Sequence, residues 1–279
     1  MKEKISITLD EGIIREIESL IDGIKIRNKS QAIEFLIRKS LAEKRVAVIL
    51  AGGPEDKLKI NNIYKPLVKL NKGTVIEAAL EKLRKNKFID VFIVGRKNIL
   101  SEIFKKIGDG SRYGVSVQFV EETESPKKTL LDTARTLKLL KEKIKRPFLC
   151  LNCDIIFDYT LGRVWNFHIK SGCIATVLLK TSKTPGKYSV VELEGNKIIR
   201  FVEKPKKAES YLVYTGMFIA EPEIFSEPGN SLEYEVFPKL AKRGSLSGYV
   251  CSGTSEHIHK PKTPSLGRTS LFLAKDAGN

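Results

Sequence analysis

The chain has 279 residues, 42% of them hydrophobic, a length that at roughly 100 to 200 residues per domain accommodates two domains, one of them small. No run of about 18 uninterrupted apolar residues occurs and the opening stretch, MKEKISITLD, lacks a signal peptide's apolar segment. That excludes membrane-spanning and secreted classes from our expectations and points to a soluble cytoplasmic protein without membrane partners. The net charge of +16 admits nucleic acid, phosphorylated substrates or a lysine-rich surface, but residues 1–44 hold nine Lys/Arg against eight Asp/Glu, so nearly all of the excess lies further along the chain.

From the start of the chain, Ile5, Ile7 and Leu9 alternate with Lys4, Ser6 and Thr8, the period-two pattern of a half-buried strand. Asp10 is placed to cap a helix carrying Ile13, Ile14, Ile17, Leu20 and Ile21, which Gly23 ends; Asn28 and Ser30 offer the next cap, before a second amphipathic helix to about Lys44. A lone strand leaves its backbone groups unpaired, so a partner strand is implied. The β-α-α order of residues 2–44 resembles the ribbon-helix-helix family, in which two chains pair their strands. The resemblance implies a homodimer or higher even oligomer. It also implies double-stranded DNA as a partner, with Lys4, Ser6 and Thr8 facing base edges and Asn28, Lys29 and Ser30 holding phosphate. Dimerisation without DNA is the alternative reading of the same pattern.

From Arg45 the pattern changes. RVAVILAGG is a continuous apolar run ending in glycines, as strands buried on both faces are. Helices are then expected at residues 75–85, 99–107 and 129–143, alternating with strands at 90–94, 115–120 and 147–157. β-rich sequence follows at 173–180, 188–192, 197–202 and 211–220, with a hairpin turn around Gly195. The fold class expected is α/β, a mixed and mainly parallel sheet flanked by helices, with ligands at the carboxyl ends of its strands. The domains are drawn at 1–44 and 45–262, with a tail at 263–279. Cys150 and Cys153 form a CxxC inside an apolar run, and no second pair stands at zinc spacing, so the four cysteines are expected to be reduced core residues.

An ordered set of landmarks spans residues 46–261: LAGG at 50–53, YKPLVKL with Lys65 and Pro66, TLLDTARTL with Thr133 and Ala134, LNCD ending at Asp154, FVEKP at 201–205, YTGMFI around Gly216, and GYVCSGTSEHIHKP. Together they resemble the sugar nucleotidyltransferases, the nucleoside-diphosphate-sugar pyrophosphorylases. The resemblance implies attack of a sugar 1-phosphate oxygen on the α-phosphorus of a nucleoside triphosphate, releasing pyrophosphate. Several negative charges then share one pocket, and positioning and charge neutralisation dominate. It places Leu50, Ala51, Gly52, Gly53 and Thr133 at the nucleotide, Lys57, Lys65 and Asp154 in catalysis, Glu203, Lys204 and Gly216 at the sugar phosphate, and Mg²⁺ on Asp154.

The chain departs from that pattern at several positions. Glu55 and Asp56 stand where the family carries glycine and threonine, and two acids there would repel a triphosphate. Lys57 replaces an arginine and loses its bidentate geometry. Tyr214 stands at an asparagine position, and His257 aligns with a second metal aspartate, an imidazole being a poor Mg²⁺ ligand. The departures suggest a regulator of weakened or absent catalysis that answers to a nucleotide or nucleotide sugar through its DNA-binding module. An active Mg²⁺-dependent sugar-1-phosphate nucleotidyltransferase dimerised by that module is the alternative, and an inactive scaffold a third.

Overall fold

The computed structural model describes residues 6–122 and 133–258, without the side chains of residues 38–43. Lys4, Ile5 and the tail from 263 therefore lie outside the described residues. The chain divides into two compact units, Met1–Arg45 and Val46–Asn279, taken separately below.

In the first unit the expected caps form. Asp10 Oδ1 accepts the amide of Gly12 at 2.7 Å and starts α1 (Glu11–Ser19). Asp22 Oδ1 gathers the amides of Ile24, Lys25 and Ile26, and Asn28 Oδ1 accepts from the amide of Gln31 at 2.9 Å, opening α2 (Lys29–Glu43). Ile17 and Ala32 are buried. Among the described residues, Ser6–Leu9 join no ladder, where the period-two pattern predicts a strand. A strand needs a partner's N–H and C=O groups, and the other described elements of this unit are helices, which spend theirs internally.

The second unit is built on a nine-stranded sheet in the order β5-β4-β1-β6-β11-β8-β12-β10-β9. The strands are β1 (Arg45–Ala51), β4 (Phe88–Gly95), β5 (Ser116–Glu121), β6 (Phe148–Asn152), β8 (Ala175–Thr181), β9 (Ser189–Glu194), β10 (Lys197–Glu203), β11 (Leu212–Ala220) and β12 (Leu246–Val250). Two short hairpin strands, β2 (Lys59–Ile60) and β3 (Ile63–Tyr64), follow the first loop, and β7 (Ile155–Phe157) pairs with β13 (Ser255–His257). Helices α3 (Glu55–Leu58), α4 (Val75–Lys85), α5 (Lys97–Ile107), α6 (Thr133–Lys138), α7 (Leu161–Ser171) and α8 (Phe237–Lys242) complete it. β1 runs parallel to β6, as its doubly buried run leads one to expect, and β4 runs parallel to β5, the partly exposed edge strand. Beyond β6 the sheet turns mixed, because β11 lies antiparallel to both β6 and β8.

β1 divides the interior. Val46, Val48 and Leu50 pack into one core with Leu137, Phe218 and Phe237, while Ala47, Ile49 and Ala51 pack into the other with Ile76, Leu80 and Ile103. Two elements differ from expectation. The helix drawn over 129–143 is, in its described part, helical only over Thr133–Lys138 and continues as turns. The single strand drawn over 147–157 is two, because the amide of Cys153 donates to Leu50 O at 2.9 Å and the chain turns there. That break lifts Asp154 out of the ladder.

Candidate active site

The break brings Asp154 to the carboxyl edge of β6, beside the end of β1. Its Oδ2 lies 3.1 Å from Lys65 Nζ and its Oδ1 3.1 Å from His257 Nδ1. Both the Lys65 and the Asp154 side chains are well shielded from solvent. Burial alone would raise the Asp154 pKa; the His257 hydrogen bond and the charges of His257 and Lys65 outweigh it and bring it down to about 2. His257 Nε2 in turn faces the carbonyl oxygen of Thr215 at 3.1 Å. Gly216 lies beside this cluster: it has φ 84°, and a Cβ there would stand 2.9 Å from His257 Cε1.

The donor set can be tested against Mg²⁺. That ion is commonly held by one or two carboxylates, with substrate phosphates and waters completing its shell. Asp154 fits as one hard oxygen ligand. His257 does not fit as another, since both ring nitrogens face oxygen acceptors that ask for N–H groups. Among the described residues no group of three or more His, Cys, Asp or Glu stands together as a metal cage. The four cysteines are free thiols, with burial pushing the Cys153 thiol well up.

At the end of β1, Leu50 and Ala51 lead into Gly52 and Gly53. Gly53 has φ 111°, and a Cβ on Gly52 would lie 2.8 Å from Glu122 Oε2. The loop therefore needs glycine at both positions, one for conformation and one for space. After it, Glu55 Oε1 accepts from Lys59 Nζ at 2.5 Å and from the Tyr64 hydroxyl at 2.8 Å. The Lys59 hydrogen bond is the chief cause holding its carboxyl below the usual range. The expectation that Glu55 opposes a triphosphate is corrected accordingly: the hairpin β2–β3 supplies partners that neutralise it. Asp56 and Lys57 are exposed on α3.

The residues assigned to the sugar phosphate form a second group. Glu203, at the end of β10, accepts from Ser189 Oγ and pairs with Lys204 Nζ at 3.0 Å. Lys204 sits in a left-handed conformation, φ 41°. The Thr133 hydroxyl is engaged within the fold: Oγ1 donates to Glu233 Oε2 at 2.7 Å and accepts from the Leu232 amide, tying α6 to the turn before α8. A cavity of about 390 Å³ lined by Phe201, Glu203, Glu233, Tyr234 and Lys242 adjoins this group. Tyr214 is buried against Phe201 and Phe237.

Sequence reasoning missed two residues. Glu122, just past β5, is buried; its Oε1 accepts from Thr136 Oγ1, while Oε2 has no partner among the described residues. Arg96, just past β4, likewise carries a shielded Nε with no partner among them. The available signal was a charged residue directly after a strand of an α/β sheet, the place where such folds bind ligands.

Against known proteins, the nucleotidyl transferase family matches residues 46–252. The chain belongs to the nucleotidyl transferase family. Among its relatives, a mannose-1-phosphate guanyltransferase of Yarrowia lipolytica is 33% identical over 239 residues, 81% of this chain and 64% of that one. The Saccharomyces cerevisiae mannose-1-phosphate guanyltransferase is 31% identical over 240 residues with the same coverage. The chain thus spans just under two thirds of the length of these relatives. A crystal structure of a candidate glucose-1-phosphate thymidylyltransferase from Bacillus anthracis, holding a sucrose, superposes with TM-score 0.69 at 23% identity, over 84% of this chain and 97% of that one. The fold is therefore the nucleotide-diphospho-sugar transferase-like α/β fold, and the nucleotidyl transferase match begins after the first unit ends.

In that first unit, Ser6, Thr8 and Ser30 are exposed, Asn28 spends its side-chain oxygen on the helix cap, and Lys29 Nζ pairs with Glu18 Oε1 at 2.6 Å. No helix among the described residues is long and apolar enough to cross a membrane.

Proposed function

We propose that residues 45–262 form a sugar-1-phosphate nucleotidyltransferase that uses GTP and a hexose 1-phosphate to make a nucleoside-diphosphate sugar and pyrophosphate. The observation that carries this reading is the assembly of Lys65, Asp154 and His257 at the carboxyl edge of β6, beside the glycine loop that follows the adjacent strand β1. A sugar-phosphate oxygen forms the new bond to the α-phosphorus as the bond to the β-phosphate oxygen breaks. Gly52 and Gly53 let backbone amides approach the phosphates, and Lys65 shifts its ammonium from Asp154 to the charge that grows on the triphosphate. Mg²⁺ held by Asp154 would add neutralising charge there. Glu203 and Lys204 orient the sugar phosphate.

Guanine is favoured by Glu122. Its unpartnered carboxylate oxygen beside Gly52 is an acceptor suited to a base edge rich in N–H donors, and the guanyltransferase relatives agree with that chemistry. Pyrophosphate release measured with GTP, ATP and dTTP across a panel of hexose 1-phosphates tests the reading. GTP is expected to be preferred, and Asp154→Asn is expected to lose about a thousandfold in rate. Turnover equal in Asp154→Asn, or absent with every pair, removes the proposal.

The first unit has a reading of its own. Ile7, Leu9, Ile14, Ile17 and Ile33 line a groove of about 180 Å³, and Ile7 is half exposed. That face suits a second copy of the module. DNA recognition through Lys4, Ser6, Thr8, Asn28, Lys29 and Ser30 stays a proposal alongside it, and with it regulation by the bound nucleotide. Gel-shift titration of the full chain against random duplexes, with and without GTP, checks both.

A further inference from the structure

Arg96 follows directly on β4, and the last residue of that strand lies against the end of β1: a Cβ on Gly95 would stand 2.7 Å from the carbonyl oxygen of Ala51. The close approach of the two backbones brings residue 96 to the foot of the loop formed by Gly52 and Gly53. The Nε of Arg96 is shielded from solvent and has no hydrogen-bond partner among the described residues. A shielded donor without a partner is destabilising, and native structures contain few such groups, each calling for an explanation. The guanidinium also adds to the positive field acting on Glu55, so its charge reaches the segment just past the loop.

The other cations around the loop are placed differently. Lys59 is bound to Glu55, Lys65 to Asp154, and Lys57 is exposed on α3. Among the described residues, Arg96 is thus the cation beside the end of β1 whose guanidinium keeps a shielded N–H without a hydrogen-bond partner. A guanidinium is also the side chain whose planar fork matches two phosphate oxygens at once.

We propose that Arg96 is a triphosphate-binding residue of the glycine loop, holding nucleotide phosphate oxygens beside Gly52 and Gly53 in the place that Lys57 leaves unfilled. The assignment rests on the nucleotidyltransferase reading for its ligand, and its test is separable from that reading. The full chain is titrated calorimetrically with inorganic tripolyphosphate and, in parallel, with GTP. Arg96→Gln is expected to weaken both by about tenfold or more, and Arg96→Lys by less, since it keeps the charge and loses the fork. Lys105→Gln, a charge-matched change of an exposed residue on α5, is expected to stay within about twofold of the unaltered chain. If Arg96→Gln does not fold, by its melting curve, Arg96→Lys carries the comparison.

Tripolyphosphate binding unchanged in the Arg96 variants, or undetectable in the unaltered chain, overturns the proposal. A loss confined to GTP also overturns it, because that outcome moves Arg96 to the base. Absent pyrophosphate release, with Arg96-dependent tripolyphosphate binding intact, would sink the catalytic reading alone.

Discussion

Asp154 and Glu122 are both carboxylates shielded at the carboxyl edge of one sheet, yet Asp154 has a nitrogen on each oxygen, while Glu122 has the Thr136 hydroxyl on one oxygen and no hydrogen-bond partner on the other among the described residues. The first is complete without a ligand, its charge balanced by Lys65 and by the His257 ring. The second is incomplete and packs against Gly52, where a Cβ would stand 2.8 Å from its Oε2. A satisfied cluster holds its own geometry; an unsatisfied buried acceptor calls for an explanation, and the guanine reading proposed above supplies one. The reading proposed above gives the two carboxylates different tasks, Asp154 in positioning the reacting groups and Glu122 in selecting the nucleotide.

The satisfied half gives the larger effect when broken. Lys65→Met removes one of the two nitrogens on Asp154 and the ammonium closest to the proposed reaction, and a rate loss of about 10²–10³ is expected, read as kcat for pyrophosphate release. Stability should fall as well, since Asp154 keeps its shielded charge with only His257 beside it. A variant with full kcat would mean that the Lys65–Asp154 pair is a structural brace.

Much of this crevice was legible beforehand, and the limits follow from what sequence encodes. The run RVAVILAGG announced β1 and its loop because both faces of that strand are buried, and the hairpin at Gly195 announced itself through its turn. Helix α4 matched its expected span of residues 75–85, its apolar residues lying on one face. The break at Cys153–Asp154 was not legible: it arises from one amide bonding across to Leu50, a contact 103 positions away in the chain. The neutralisation of Glu55 depends on the hairpin β2–β3, which no periodicity marks in two-residue strands. Glu122 and Arg96 were hidden for another reason: an unpaired atom is a property of packing, and sequence shows only that a charged residue follows a strand.

The unsatisfied half should answer differently. Glu122→Gln removes a shielded, half-partnered charge, so the melting temperature of the free protein is expected to hold or rise. GTP binding should weaken by about tenfold to a hundredfold and the preference over ATP should narrow, because a buried hydrogen bond to a charged acceptor contributes about 1.5–3 kcal/mol. Calorimetric titration of both nucleotides checks this. Losing stability and keeping GTP preference would make Glu122 a structural anchor for Thr136.

A third shielded group tests whether every unsatisfied atom in this fold is a ligand site. His168, on α7, is buried; its Nδ1 lies 2.8 Å from Thr176 Oγ1, and its Nε2 has no hydrogen bond among the described residues, with Glu221 Oε1 3.4 Å away. Thr176 is near the amino end of β8, and β8 runs antiparallel to β11, which runs antiparallel to β6. His168 is therefore at the sheet edge opposite the crevice, and its unpartnered atom is expected to show in stability and not in binding. Burial lowers its pKa from 6.5 to about 4. The unfolded chain thus binds more protons between those values, so His168's contribution is full above about pH 6.5 and is lost as pH falls toward 4, amounting to roughly 3 kcal/mol. Glu221, whose carboxyl burial raises, contributes with the opposite sign and offsets part of that slope. Urea unfolding followed from pH 7.5 to about 4 should show the decline, His168→Asn should flatten it, and Glu221→Gln should steepen it, with GTP affinity unchanged in either variant at neutral pH. A shift in GTP affinity on altering His168 would mean that the two sheet edges are coupled, and that the contrast between Asp154 and Glu122 is not confined to the crevice.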